Sequence, residues 1–246
     1  MRLKQKKRQA LLLLTMFFVA TGITAAAAES IYHETVYPKG AGPFPAVIVL
    51  HSSGGFKTAK WRIGKYIDAG YAAYVPDFFR RYGISYKNRI ETWTTYRTQI
   101  EAELVEIVDT IKADPKVDAR NIFAVGFSNG GYWASYLAAR KHVKAAASHY
   151  GVWRFPNHNG FPANYFDRDS NPVLALHGDH DSVQDIRFVM PQLEIVAGKS
   201  PRFRKRIFRG AGHSWDCRTC GGGSYDDNAA RQALELTLAL FAENTH

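Results

Sequence analysis

The apolar positions of this chain fall into two kinds of run. Short unbroken runs such as Ala46-Val47-Ile48-Val49-Leu50 and Ile122-Phe123-Ala124-Val125 show no alternation with polar residues. Such runs predict strands buried on both faces. Similar strands are expected over 71–75, 143–149, 172–176 and 203–208, with a looser one over 31–37. The second kind recurs at threes and fours. Ile90, Trp93, Tyr96, Ile100, Leu104, Ile107 and Ile111 predict one long helix over 90–113, stopped by Asp114-Pro115. Further helices are expected over 58–69, ended by Gly70, over 186–196 and over 229–241. Strand and helix alternate throughout, which implies an α/β fold with a mostly parallel central sheet and helices on both faces.

Residues 152–171 break the alternation. They carry Trp153, Phe155, Phe161, Tyr165 and Phe166 among Pro, Asn and Gly, and read as a long loop placed to wall a pocket. No internal repeat or second domain is visible. Residues 1–28 have the anatomy of a secretory signal: a basic start ending at Arg8, an apolar run from 10 to 20, and Ala-x-Ala sites ending at Ala26 and Ala28. The apolar core is shorter than the roughly 20 residues of a membrane span, so cleavage is favoured over anchoring. The expected organisation is a signal over 1–28 and one catalytic domain over 29–246, periplasmic or secreted, with no stable membrane association after cleavage.

Charge then changes its meaning. The formal +10 reflects 32 basic and 22 acidic residues, and removing the five basic residues of 1–28 leaves 27 against 22, a net of +5. The densest basic cluster, Arg202, Arg204, Lys205 and Arg206, reads as a solvated face, and nucleic-acid binding is not expected.

The candidate chemistry gathers at expected strand ends. Gly126-Phe127-Ser128-Asn129-Gly130-Gly131 lies between a buried strand and a helical pattern, the context of a nucleophile elbow. A serine hydroxyl needs a base in reach and a group that orients the base. After strand 203–208, Gly210-Ala211-Gly212 leads to His213, the expected base. After strand 172–176 come Asp179 and Asp181; the spacing from Gly178 favours Asp181, with Asp179 as competitor. The N–H of Asn129 is one expected oxyanion donor. The loop His51-Ser52-Ser53-Gly54-Gly55 supplies the other, Ser53 ahead of Ser52. His177 and His180 lack a matching third ligand motif, so neither a metal nor a cofactor is expected. Cys217 and Cys220 are the only cysteines and, in an oxidising compartment, are expected to form a disulfide.

These residues together resemble a family. Leu50-His51-x-x-Gly54, Val75-Pro76-Asp77-Phe78-Phe79, Asp118-Ala119-Arg120-Asn121-Ile122, the elbow, Gly178-x-x-Asp181 and Gly210-Ala211-Gly212-His213-Ser214-Trp215 are similar to a dienelactone hydrolase-type member of the α/β-hydrolase superfamily. The resemblance implies the α/β-hydrolase fold. It also implies that Arg81, after the Pro-Asp-aromatic stretch, binds a substrate carboxylate. A second family arginine, four residues after the His, is matched here by Cys217, with Arg218 one later. Two further departures stand out: the family's elbow Cys is Ser128, and its Glu after the early His is Ser52. An ordinary serine mechanism on a small-molecule ester or lactone is therefore expected. The alternatives are a peptidase or amidase of the same fold, and a non-catalytic binding protein that retains it.

Overall fold

Each unbroken apolar run forms a strand. The computed structural model describes residues 31–155, 163–220 and 225–246; the expected signal over 1–28 lies outside them, as does Phe161. Strands β1 (His33–Val36), β2 (Phe44–Leu50), β3 (Ala72–Pro76), β4 (Val117–Phe127), β5 (Ala146–His149), β6 (Val173–Gly178) and β7 (Phe203–Phe208) form one sheet in the order β1-β3-β2-β4-β5-β6-β7. β1 runs antiparallel to β3, and the other pairings are parallel. The helices are α1 (Lys57–Lys60), α2 (Gly64–Asp68), α3 (Arg97–Ala113), α4 (Asn129–Ala139), α5 (Ile186–Lys199) and α6 (Asp227–Glu243).

The strand pleat divides the core in two. Ala46, Ile48 and Leu50 face the layer built by α3, α4 and α5, where Leu104, Trp133 and Leu193 are buried. Val47 and Val49 face the other way, against Tyr66 of α2 and Ala233 and Phe241 of α6. The parallel arrangement brings the C-terminal ends of β2, β4, β6 and β7 to one edge, the place where such sheets hold ligands.

Three expected elements differ. The helix over 58–69 is two short helices, because Arg62 between them is drawn into a buried ion pair with Asp216. The helix over 90–113 begins only at Arg97, preceded by a single 3-10 turn (Arg89–Thr92). Thr92 and Thr94 donate their hydroxyls to the carbonyls of Arg89 and Ile90, local bonds that compete with helix continuation, and Ile90 is left exposed. In the loop over 152–171, Trp153 and Phe166 pack with Phe203 in the α5 layer and do not line the cavity described below. In the basic cluster at β7, Arg202, Arg204 and Arg206 are exposed and Lys205 is half-buried; Arg204 pairs with Glu243 at 2.8 Å and Lys205 with Glu194 at 2.9 Å. Among the described residues, no helix is long and apolar enough to cross a membrane.

Candidate active site

The turn from β4 into α4 is tight because its glycines allow nothing else. A Cβ on Gly126 would lie 1.9 Å from the Gly130 carbonyl oxygen, and one on Gly130 would lie 2.2 Å from the Leu50 carbonyl oxygen. Any side chain at either position pushes α4 off the sheet. Ser128 at the apex is left with φ 53° and ψ −110°, a conformation that an L-residue holds only when its surroundings impose it. Its side chain does not cap α4. Instead Ser128 Oγ lies 3.0 Å from His213 Nε2, and His213 Nδ1 lies 2.7 Å from Asp181 Oδ2.

That order assigns the protons. A carboxylate only accepts, so His213 Nδ1 carries the hydrogen and Nε2 presents its lone pair to the Ser128 hydroxyl. Asp181 is fully buried, and its other oxygen accepts from the N–H groups of Val183 and Gln184, each at 2.8 Å. Burial raises its carboxyl pKa, yet the His213 hydrogen bond and the backbone donors outweigh it and hold the group below the usual range. Asp179 takes a different place: Oδ1 accepts from the Gly210 N–H at 2.6 Å, tying β6 to the turn before His213. His180 is exposed while His177 is buried, donating from Nε2 to the Gln184 carbonyl at 2.7 Å. Among the described residues, no group of three or more His, Cys, Asp or Glu side chains could hold a metal ion.

The loop after β2 faces Ser128 across the cavity. Ser52 N–H donates to Thr58 Oγ1 at 3.0 Å, Gly54 N–H to Ser52 Oγ at 3.3 Å, and Gly55 N–H to the Ser52 carbonyl at 3.0 Å. Ser53 N–H is the one left without an acceptor among the described residues. His51 fixes its direction. The imidazole stacks on Phe78 with ring centroids 3.8 Å apart, and burial pushes its pKa down to about 3, so it is neutral. Nδ1–H donates to the Ser52 carbonyl at 2.9 Å, which is the other end of the peptide unit that carries the Ser53 N–H. The Asn129 N–H, first in α4, has no intrahelical acceptor and sits at the positive end of the helix dipole. The Asn129 side chain is held away by Thr92, to which Nδ2 donates at 3.1 Å.

Above these groups opens a cavity of about 500 Å³ lined by Ser53, Ser128 and His213. Lys57, Trp61, Tyr86 and Arg89 form its outer wall. Cys217 and Cys220 also border it and are joined as a disulfide. Arg81 does not line it. Its guanidinium pairs with Glu103 of α3, a carboxylate only 5% exposed, so this geometry does not bring Arg81, the residue expected at the substrate carboxylate, to the cavity. Arg89 faces the cavity instead, steadied by Nη1 donating to the Tyr86 carbonyl at 2.7 Å and by the Tyr86 ring 4.3 Å from its guanidinium carbon. Sequence reading missed Lys57, Trp61 and Arg89. Trp61 reads as part of the helical pattern over 58–69, while Lys57 and Arg89 lie just before the two expected helices with nothing local to mark them, and only the folded course of those segments brings all three to the rim of the cavity.

With this geometry in hand, comparisons with known proteins give a consistent picture. The family model described as the dienelactone hydrolase family matches residues 33–245. A search of curated protein sequences finds no match. Solved structures of similar fold include a candidate dienelactone hydrolase from Klebsiella pneumoniae (24% identity, TM-score 0.71, covering 88% of this chain and 95% of that one). A dienelactone hydrolase-like promiscuous phosphotriesterase from metagenomic libraries is 21% identical, with TM-score 0.64 and coverage of 88% and 99%. Esterase 2 of Thermogutta terrifontis, solved as its tabun adduct, is 17% identical, with TM-score 0.65 and coverage of 86% and 88%.

Proposed function

We propose a function from one premise: the chain belongs to the dienelactone hydrolase family. It is an exported serine hydrolase that cleaves carboxylic esters or lactones through an acyl-enzyme. The observation that carries this reading is the hydrogen-bonded line from Ser128 through His213 to Asp181, with Ser128 in a strained backbone conformation at the cavity floor.

His213 Nε2 takes the Ser128 proton as Oγ attacks the ester carbonyl, and Asp181 stabilises the imidazolium that forms. The carbonyl oxygen gains negative charge between the N–H groups of Asn129 and Ser53, which need no reorganisation to receive it. His213 then gives the proton to the leaving alcohol. Water, deprotonated by the same nitrogen, releases the acid. The residues require no cofactor for these steps. A substrate carboxylate, where present, meets Arg89 and Lys57 on the outer wall. Residues 1–28 serve as the export signal, and the Cys217–Cys220 disulfide suits the oxidising compartment beyond the inner membrane.

Labelling with a fluorophosphonate tests the reaction. The wild type reacts at Ser128 and Ser128→Ala does not; absence of label on active-temperature, folded wild type overturns the reading, as does turnover by a peptide panel and not by esters. Intact mass of periplasmic material tests export, and retention of residues 1–28 there refutes it.

A further inference from the structure

Behind His213 lies a buried ion pair that the acyl-transfer steps do not use. Arg62, 3% exposed, donates from Nε to Asp216 Oδ2 at 2.7 Å and from Nη2 to Asp216 Oδ1 at 2.9 Å. Nη2 also donates to the Tyr150 hydroxyl at 2.8 Å, and that hydroxyl donates to Asp216 Oδ1 at 2.6 Å. Nη1 donates to the Thr58 carbonyl. The guanidinium carbon lies 3.9 Å from the Trp61 ring centroid and 4.2 Å from that of Phe127.

Each partner leads to the site. Phe127 precedes Ser128. The Tyr150 ring packs on the His213 imidazole, centroids 4.9 Å apart at 63°. Asp216 lies three residues beyond His213, and Thr58 and Trp61 line the cavity. Backbone conformation marks the same places. Among the described residues, Ser128, Lys141, Tyr150 and Ser214 are the non-glycine residues with left-handed φ, and only Lys141 is remote from the site. Such conformations persist where the surroundings over-determine them. Tyr150, at φ 37°, is pinned at its hydroxyl by Arg62 and Asp216 and at its N–H by the Leu176 carbonyl at 2.8 Å.

Stability alone does not call for charges here, since apolar residues of similar volume often replace a buried ion pair without loss. What they lack is direction. We propose that Arg62 and Asp216 are positioning residues for His213: through the Tyr150 hydroxyl and ring they hold the imidazole on the line between Ser128 and Asp181. The proposal rests on Ser128 acting as nucleophile. Asp216 does not replace Asp181, because it makes no bond to the imidazole. The competing role is a staple that only ties the Thr58–Arg62 segment to the His213 loop.

The test uses Tyr150→Phe, which removes only the hydroxyl, and the double variant Arg62→Met with Asp216→Leu, which leaves no unpaired buried charge. Active sites are titrated with a fluorophosphonate, and kcat and KM are measured per titrated site with p-nitrophenyl acetate, alongside Tm. The positioning role lowers kcat per titrated site by about tenfold in Tyr150→Phe and about a hundredfold in the double variant, with KM unchanged, as expected for small misplacements of a reacting group. Wild-type kcat per titrated site with a lower Tm identifies a staple and overturns the proposal. A raised KM with unchanged kcat moves the effect to the Trp61 wall and also overturns it. If the double variant does not fold, Tyr150→Phe decides by the same criteria. Failure of the wild type to label at Ser128 is a separate result, which removes the nucleophile reading and this proposal with it.

Discussion

The floor and the outer wall of the cavity are built by different means. The floor holds Ser128, Asp181 and His213, each carried at or just past the end of a parallel strand of one sheet. Strand register sets their spacing, and the side chains need only turn toward one another. The wall holds Lys57, Trp61, Tyr86 and Arg89, carried on short helices and turns whose course is set by side-chain bonds such as Arg62 with Asp216 and Thr92 with Asn129. Backbone hydrogen bonding therefore fixes where the three proposed reacting groups sit, while long-range side-chain pairs shape the wall around them. The two regions should fail differently when mutated.

The largest effects belong to the floor. Ser128→Ala lowers kcat by about a millionfold while Tm stays near wild type, since Ala keeps the Cβ and its packing and only the hydroxyl bonded to His213 is lost. Wild-type turnover by purified mutant would falsify the assignment. Asp181→Asn follows at about ten-thousandfold, because an amide at that place no longer dictates the His213 tautomer. Asp179→Asn is the control that sharpens the choice between the two acids. It weakens one bond to the Gly210 N–H, costs about 1 kcal/mol of stability and leaves kcat near wild type. A reversal of the two kinetic outcomes would place the acid at Asp179.

Next comes the response to pH. Burial is the main cause that lowers the pKa of His51 to about 3 and of His149 to about 4, and it lowers His177 as well. In the unfolded chain each histidine binds its proton near the ordinary 6.5. Below that value the unfolded state takes up protons that the folded state refuses, so stability is full above about pH 6.5 and falls on acidification toward the folded values. The slope reaches about 1.4 kcal/mol per pH unit for each histidine. The depressed carboxylates Asp181 and Asp216 add their loss only below about pH 4. Urea midpoints measured between pH 7 and pH 4 check this. His149→Gln, which keeps a donor toward Thr237, flattens the curve in that window; an unchanged slope excludes His149 as a contributor.

The contrast between floor and wall also explains what could be read from sequence. Buried parallel strands announce themselves as unbroken apolar runs, and the motifs at their ends, Gly126 to Gly131 and Gly210 to His213, lie within a few residues of those runs. The candidate site was legible because its parts are local to strands. The broken helices were not. Period alone joins Ile90 to Ile111, and nothing near Thr92 reveals that its hydroxyl will be claimed by Asn129. Arg62 and Asp216 are separated by most of the chain, so their pairing follows only from the sheet order. Arg81 shows the same limit from the other side: a local motif suggested a substrate contact, and a carboxylate on α3, Glu103, took the guanidinium instead.

That exchange of arginines gives the smallest and most discriminating effect. Arg89 stands on the cavity wall with its side chain half-buried, and its bonds to Tyr86 orient it without neutralising it. A guanidinium so placed strengthens binding of a carboxylate and does little for a neutral group. Arg89→Ala should therefore reduce kcat/KM for carboxylate-bearing esters or lactones by about tenfold relative to neutral esters, the size of one partly solvated charged hydrogen bond. Arg81→Ala should do the opposite. It leaves the Glu103 carboxylate buried without its partner and lowers stability by roughly 1–3 kcal/mol, discounted for the 36% exposure of the Arg81 side chain. The ratio between charged and neutral substrates stays unchanged. Paired kcat/KM values on one charged and one neutral ester, with a melting curve for each variant, read both effects. Selective loss in Arg81→Ala and none in Arg89→Ala would mean that the Glu103 pair opens on binding, and the wall as described would not be the surface that the substrate meets.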